Sequence, residues 1–369
     1  MDKPSKILII GQTPPPYGGQ ALMTQSLIEA DFEKVEKYHV RMNFSKHADS
    51  IGKFSFHKII HTLEILWEAI RMRRVKNAST LYYMPVGNAM VPFMRDLMVL
   101  SLLRFFFKKT IFHFHAAGIS LYVDSLPGFV KRLGLYIYRK PDLAIQNSSL
   151  NPPDGSYFQA KEVRIIPNGI VDQAGPYLPF DRKSKDKVHI LFVGLIKISK
   201  GVLDMLKAAK RLKGEGLRFQ MSFVGKFYSE ETEAELKNFV QENELGSYVD
   251  FPGVKVGNEK WQYFLQADLF CFPSFFESES FGNVILEAMM FGLPVIGSNW
   301  RGIPSIIREG ETGFIVPPKT PEVLAEKLAL LIKDYDLRKR MGVAGRQSYL
   351  ENYQLSTYLE QIENSLASI

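Results

Sequence analysis

No stretch constrains this chain more than the run from Leu269 to Ser298, LFCFPSFFESESFGNVILEAMMFGLPVIGS. Leu269 to Pro273 is a short apolar run of strand length. From Asn283 the pattern turns helical, with Val284, Leu286, Ala288 and Met289 available to pack. Gly292 and Pro294 stop that helix, as a glycine just past the last turn and a proline beyond it do. Val295 to Gly297 opens the next strand. Strand, loop, helix and strand in this order belong to a parallel sheet. Its carboxyl edge, where open α/β sheets bind ligands, then carries the loop holding Glu277, Glu279 and Gly282.

The spacing within that loop suggests a chemistry. Backbone N–H groups around Phe281, Gly282 and Asn283 lie at a helix start, where they have no partner inside the helix. The helix dipole there favours an anion such as a diphosphate. Glu279 precedes the start, and Glu287 lies roughly one turn inside at about 1.5 Å rise per residue. One carboxylate reaches a group on one side of a diphosphate and the second reaches the other side. A nucleoside diphosphate sugar has hydroxyls on both sides, and ionised acceptors hold hydroxyls strongly. A lone glutamate at such a place also serves as a plain helix cap.

The complete string from Glu279 to Glu287, followed by Gly292-Leu-Pro-Val, resembles the Glu-seven-residues-Glu motif of the retaining glycosyltransferases of family 4. Further pieces agree in order: Pro14 to Gly19, Ile166-Pro-Asn-Gly169, Phe192-Val-Gly194 with Lys200-Gly201, and Gly310 to Pro317. The resemblance covers nearly the whole chain, strongly in the second half and loosely between residues 30 and 110. It implies the GT-B arrangement, two facing Rossmann-like doubly wound domains with the active site in the cleft between them. It also implies sugar transfer from a nucleotide donor to an acceptor hydroxyl with retention, by a same-face mechanism without a covalent nucleophile.

Residue by residue, the resemblance assigns the donor sugar to Glu279, the ribose to Glu287, and a place lining the sugar site to His115. Gly18 and Gly19, in a loop of three prolines and two glycines, let backbone approach the diphosphate closely. Lys200, just before Gly201 at a helix start, adds a cation to the helix dipole. With the amides near Phe281, Gly282 and Asn283, these donors meet the charge that builds as the diphosphate leaves, and no cofactor or metal is expected. Two departures stand out. The family's arginine after Gly194 is Leu195 here, leaving Lys197 or an arginine of the first domain to cover for it. Tyr17 occupies the place where starch synthase relatives carry lysine, which argues against that branch.

At 369 residues there is material for two cores. Strand–helix alternation runs through both halves, as for two doubly wound sheets. The expected domains are residues 1–180 and 186–349, joined by the Pro- and charge-rich stretch from Pro176 to Lys187. A helix over about 350–369 is expected to pack back on the first. Cys271, the one cysteine, lies in an apolar strand and reads as inert. With no disulfide, no signal peptide and no run of about 18 apolar residues, the expectation is a cytoplasmic protein. His113 and His115 share one side of a strand, but no third ligand stands at metal spacing.

Charge is unevenly distributed. Of a net +7, residues 51–140 alone carry 14 basic against 4 acidic groups. A helix from Lys58 to Arg74, with Ile59, Leu63, Leu66 and Ile70 on its packed stripe, ends in Arg71, Arg73 and Arg74. A second apolar helix over Phe93 to Phe107 ends among Arg104, Lys108 and Lys109, with Phe105, Phe106 and Phe107 between them. Basic helices with exposed aromatics suit an anionic membrane surface, here the inner face of the plasma membrane. That favours a lipid-linked saccharide acceptor over a small soluble one, as in surface polysaccharide or glycolipid assembly, and speaks against nucleic acid as the partner. UDP-, GDP- and ADP-sugars remain equal donor candidates. A nucleotide-sugar epimerase, which needs no acceptor, and a non-catalytic nucleotide-sugar-binding subunit remain open as alternatives.

Overall fold

The computed structural model describes residues 4–15, 18–42, 56–86, 88–178, 180 and 186–369, with backbone alone over 56–59. Pro16, Tyr17, Pro179 and residues 181–185 of the Pro-rich stretch lie outside the described residues, as does the side chain of Ile59. The chain forms two compact units, residues 1–168 with 356–369, and residues 169–355.

In the first unit, strands β1 (Ser5–Gly11), β2 (Val35–Arg41), β3 (Thr80–Tyr83), β4 (Lys109–Phe114), β5 (Leu143–Gln146) and β6 (Glu162–Ile165) form a parallel sheet in the order β2-β1-β3-β4-β5-β6. Helices α1 (Gly19–Glu29), α2 (Phe56–Val75), α3 (Met90–Leu103), α4 (Ile119–Ser125), α5 (Gly128–Tyr138) and α6 (Asp154–Tyr157) connect them. The central strands are buried without interruption because helices cover both faces of a parallel sheet. Asp96 is fully buried on α3, and its carboxylate accepts from Tyr83 Oη at 2.7 Å, Tyr138 Oη at 2.8 Å and Arg95 at 2.8 Å. A buried charge persists only when paired and hydrogen-bonded in this way.

The second unit repeats the plan with β7 (Val188–Val193), α7 (Val202–Gly214), β8 (Phe219–Val224), α8 (Glu230–Glu242), β9 (Val249–Gly253), α9 (Gly257–Gln266), β10 (Leu269–Phe272), α10 (Asn283–Met290), β11 (Val295–Ser298), β12 (Gly313–Val316), α11 (Pro321–Lys333) and α12 (Tyr335–Asn352). Its strand order is β12-β11-β10-β7-β8-β9, again parallel. Cys271 is buried in β10, and burial pushes its thiol up, away from the reactive thiolate. Within the Pro-rich stretch, Phe180 packs on Phe291, their rings 6.1 Å apart, so this part of it is bound to the unit's core.

The expected tail helix is broken after Asn352, and α13 (Leu355–Ala367) follows. Ser356 onward belongs to the first unit, where Tyr358, Ile362 and Leu366 are buried at helical spacing. Two further expectations need correction. The packed face of α2 is Thr62, Ile65, Leu66 and Ala69, while Leu63 is exposed with Ile60 and Trp67 on the opposite side. The helix is apolar nearly all round, so either face satisfied the sequence pattern. In addition, α3 stops at Leu103 and Phe107 turns into the core, leaving only Phe105 and Phe106 exposed.

His113 and His115 stack in the first unit with ring centroids 3.9 Å apart, and the Tyr82 hydroxyl meets His113 Nδ1 at 2.5 Å. Burial depresses both imidazoles: His113 falls well below its ordinary range, and His115 is lowered from 6.5 to about 3. The unfolded chain therefore binds protons that the folded chain refuses. Their contribution to stability is complete above pH 6.5 and is lost as pH falls toward about 3. By pH 5 His115 should have removed about 2 kcal/mol, and His113 acts in the same direction. Thermal melting at pH 7 and pH 5 should show the first unit losing stability, and His115→Asn should flatten that dependence. Equal pH dependence in both proteins would refute the assignment.

Candidate functional site

The second sheet has its switch point where β10 meets β7, since chain order runs away from that pair in both directions. Loops leaving adjacent strands at a switch point open a crevice at the carboxyl edge. The loop after β7 carries Leu195, Lys197 and Lys200; the loop after β10 carries Ser274, Phe276 and Glu279. They are laced together, Phe275 N donating to Ser199 O at 2.8 Å. The Trp300 indole, beyond β11, donates to Phe276 O at 2.8 Å, and Ser298 Oγ donates to Ser274 O.

Lys200 and Glu279 follow these two neighbouring strands and meet there, Nζ to Oε2 at 2.5 Å. Both are nearly enclosed, with side chains 15% and 11% exposed. Ser274 Oγ donates to the same carboxylate oxygen at 3.1 Å. An ammonium has three donors, so Lys200 keeps two for another acceptor. Lys200 also lies 4.7 Å from the centre of the Phe276 ring, and Lys197 lies over Tyr228 at 4.3 Å and Phe276 at 4.9 Å. These contacts hold two cations side by side on aromatic faces. Leu195 is two-fifths exposed beside them, 41%.

The start of α10 completes this edge. Gly282 caps it at φ 91°, a left-handed conformation that glycine adopts freely, and Asn283 begins the helix. Phe281 turns its ring into the core, edge-on to Tyr353 at 6.1 Å, so only its backbone is available at the helix end. Glu287 accepts from Lys260 Nζ on α9 at 2.8 Å, both side chains being about one-fifth exposed at 17% and 20%. Lys260 in turn lies 4.1 Å from the Trp261 ring. Thus Lys197, Lys200, Glu279, Phe281, Gly282, Asn283 and Glu287 all belong to one edge of the second sheet or the helix rising from it.

His115, Gly18 and Gly19 belong to the first unit. His115 directly follows β4, almost buried at 9% exposure. The segment after it is held by Asp154 of α6, whose carboxylate accepts from Gly118 N at 2.9 Å and Ser120 N at 2.7 Å at the start of α4. Gly18 precedes α1 with φ −154°, an extended conformation open to any residue, and a Cβ there would meet nothing within 4 Å. Neither backbone strain nor a neighbouring atom requires glycine at 18. Among the described residues no three His, Cys, Asp or Glu side chains gather as a metal site, and no helix is long and apolar enough to cross a membrane.

Sequence reasoning missed Lys260, Ser274 and Tyr228. Lys260 and Tyr228 act through partners distant in the chain, while Ser274 lies five residues from Glu279 in a loop whose path local spacing does not give. A lysine four residues into an amphipathic helix carries no mark that it reaches α10. The pairing of Lys200 with Glu279 was likewise not foreseen, although both residues were.

Residues 178–348 match the family described as Glycosyl transferases group 1. Among curated relatives, the capsular polysaccharide biosynthesis glycosyltransferase CapM of Staphylococcus aureus is 30% identical over 66% of this chain and 67% of its own length. Sulfoquinovosyl transferase SQD2 of Arabidopsis thaliana is 30% identical over 60% of this chain, a match spanning only 38% of SQD2. Among solved structures, Anabaena HepE in complex with UDP-glucose superposes with a TM-score of 0.73 at 18% identity, covering 99% of this chain and all of that one. The fold is therefore GT-B, two Rossmann-like α/β units in one chain. Within that class, the chain belongs to the group 1 glycosyltransferases.

Gly201 sets the entry to α7 immediately after Lys200. It has φ 79°, and a Cβ there would lie 2.3 Å from Pro273 O, a backbone atom of the loop after β10. The left-handed conformation alone costs alanine about 1–2 kcal/mol, and the clash adds to it. Gly201→Ala should lower stability by at least about 2 kcal/mol in urea unfolding. Wild-type stability would show that the two loops do not pack this closely.

Proposed function

We propose that the chain is a retaining, metal-independent glycosyltransferase of family 4 that moves a sugar from a nucleoside diphosphate sugar to an acceptor hydroxyl. The observation that carries the proposal is the enclosed Lys200–Glu279 pair at the sheet switch point, next to the amides at the start of α10. Lys200 has donors left for phosphate oxygens, and charge on those oxygens grows as the sugar–phosphate bond breaks. In this reading Glu279 holds the donor sugar and Glu287, braced by Lys260, holds the ribose. Lys197 supplies the cation that Leu195 cannot. Gly18 and Gly19 give backbone access to the diphosphate, and His115, neutral at physiological pH, serves as a hydrogen-bonding group at the sugar.

UDP-glucose is the first donor to test, since HepE is a UDP-glucose complex of this fold. A saccharide acceptor of surface polysaccharide assembly is supported by the match to CapM. A lipid-linked form of it is supported by the basic excess over residues 51–140, where Phe105 and Phe129 stand exposed. That surface would hold the protein peripherally at an anionic leaflet.

Glu287→Gln should weaken nucleotide-sugar binding tenfold or more, since a hydrogen bond to a charged group is worth about 1.5–3 kcal/mol. Lys200→Met should lower turnover more than affinity, because the charge it meets develops on departure. Calorimetry with UDP-, GDP- and ADP-sugars and release of nucleotide diphosphate would measure both. Wild-type binding and turnover in the two variants would dismiss the site.

Chelation gives a separate test. With helix amides and lysines at the diphosphate, EDTA should leave at least most of the activity. Complete loss restored by magnesium or manganese would reject the metal-independent mechanism.

A further inference from the structure

A second concave site lies wholly within the first unit, where the carboxyl ends of α3 and α5 come together. It is a cavity of about 190 Å³ lined by Ser101, Arg104, Phe105, Tyr136, Arg139 and Lys140, among others. Arg104 and Arg139 are the residues on which α3 and α5 end. Cations at helix carboxyl ends have an ordinary purpose, since they offset the dipole and cap free carbonyls. Arg104 does this, donating to Ile137 O at 2.8 Å and Lys140 O at 3.4 Å.

Capping does not account for the whole cluster. Arg139 leaves the carbonyls alone and lies over the Tyr136 ring at 4.6 Å. Lys140 is exposed at the rim in a left-handed conformation, φ 48°. Burial and the nearby Arg139 both lower the proton affinity of Arg104, so the two guanidinium groups repel across the cavity. No carboxylate among the described residues pairs with any of the three. The nearby Asp142 is already committed, to Lys161 Nζ at 2.7 Å and to Thr110 N at 2.8 Å. Three positive charges around one concavity therefore have no ion-pair partner among the described residues, and Asp142 acts on Arg104 only from a distance while paired with Lys161.

The surroundings indicate which anion fits. Phe105 is 75% exposed at the cavity and Leu102 one turn earlier is 50% exposed. On α5, Phe129 and Tyr136 lie two turns apart on one face with Arg132 between, and Phe129 is 74% exposed. Large apolar side chains are costly to leave in water, and a patch rimmed by cations marks a surface that meets something partly apolar and negatively charged. A free phosphate would use the cations and leave the aromatics wet. A phospholipid uses both, its phosphate among the cations and its acyl boundary against the rings.

We infer that the cavity between the ends of α3 and α5 binds the phosphate of an anionic phospholipid, with Phe105 and Phe129 entering the headgroup region. The inference rests on the peripheral-membrane part of the proposed function and assigns the contact to one pocket rather than to diffuse basicity. It also separates this face from the other exposed stripe of the unit, Ile60, Leu63 and Trp67 on α2 with Arg71 over the Trp67 ring.

Co-sedimentation with phosphatidylglycerol vesicles and with phosphatidylcholine vesicles tests this. The proteins compared are wild type, Arg139→Gln/Lys140→Gln, and Arg71→Gln/Arg74→Gln. All substituted side chains are exposed or half-exposed, and unchanged melting would establish that each variant folds. Wild type should prefer phosphatidylglycerol. The pocket variant should lose roughly thirtyfold in affinity, about fivefold per charge, and the α2 variant threefold or less. Wild-type binding by the pocket variant, or a larger loss in the α2 variant, would overturn the pocket while leaving membrane attachment intact. Absence of wild-type binding to either lipid would overturn both. Thermal stabilisation by millimolar glycerol phosphate that depends on Arg139 and Lys140, without vesicle binding, would reassign the pocket to a soluble phosphate and overturn the lipid assignment.

Discussion

The contact on which the candidate site depends is the one between Lys200 and Glu279, and it is a product of sheet topology. Phe270 of β10 lies beside Leu191 of β7. Both strands run the same way, so their loops leave from the same edge and must share one crevice. An ammonium and a carboxylate enclosed there at 2.5 Å neutralise each other while the crevice is empty. Desolvating either alone would be costly, and together they are tolerable. The pair thus keeps two chemically demanding groups in place before any ligand arrives, which is what preorganisation requires.

Much of the second unit was readable from sequence because its strands are buried on both faces. Leu269 to Pro273 is an unbroken apolar run and Val295 to Gly297 follows a clear helix stop, and the structure has strands over Leu269–Phe272 and Val295–Ser298. The edge strand Val35–Arg41 was not readable. Its VEKYHVR pattern buries only Val35 and Val40, so the apolar signal of a strand is nearly absent. The packed face of α2 was misjudged for the opposite reason. Ile60, Leu63 and Trp67 are as apolar as Ile65, Leu66 and Ala69, and only tertiary packing decides between them.

The site itself was partly legible. Glu279, Gly282, Asn283 and Glu287 sit close together in sequence, so a local pattern located them. Their bracing could not be found in the same way. Lys260 reaches Glu287 across a helix pair, and the aromatic walls around Lys197 and Lys200 come from Tyr228 and Phe276 in different loops. Local spacing locates side chains on one element, whereas ion pairs between elements are set by how those elements pack.

One feature of the chain path bears on how the protein is made. The first unit contains residues 1–168 and also residues 356–369, with the whole second unit between them in sequence. Tyr358, Ile362 and Leu366 are part of its buried interior, and Glu363 accepts from Lys34 N at 2.7 Å while Ser368 accepts from Arg164 at 2.9 Å. A ribosome builds from the amino end, so the unit begun first lacks one helix until all of residues 169–355 have been made. The second unit, by contrast, has all of its residues as soon as α12 and the turn after it are outside. During synthesis the later unit can therefore be finished before the earlier one, with the apolar groove awaiting α13 left uncovered in the meantime.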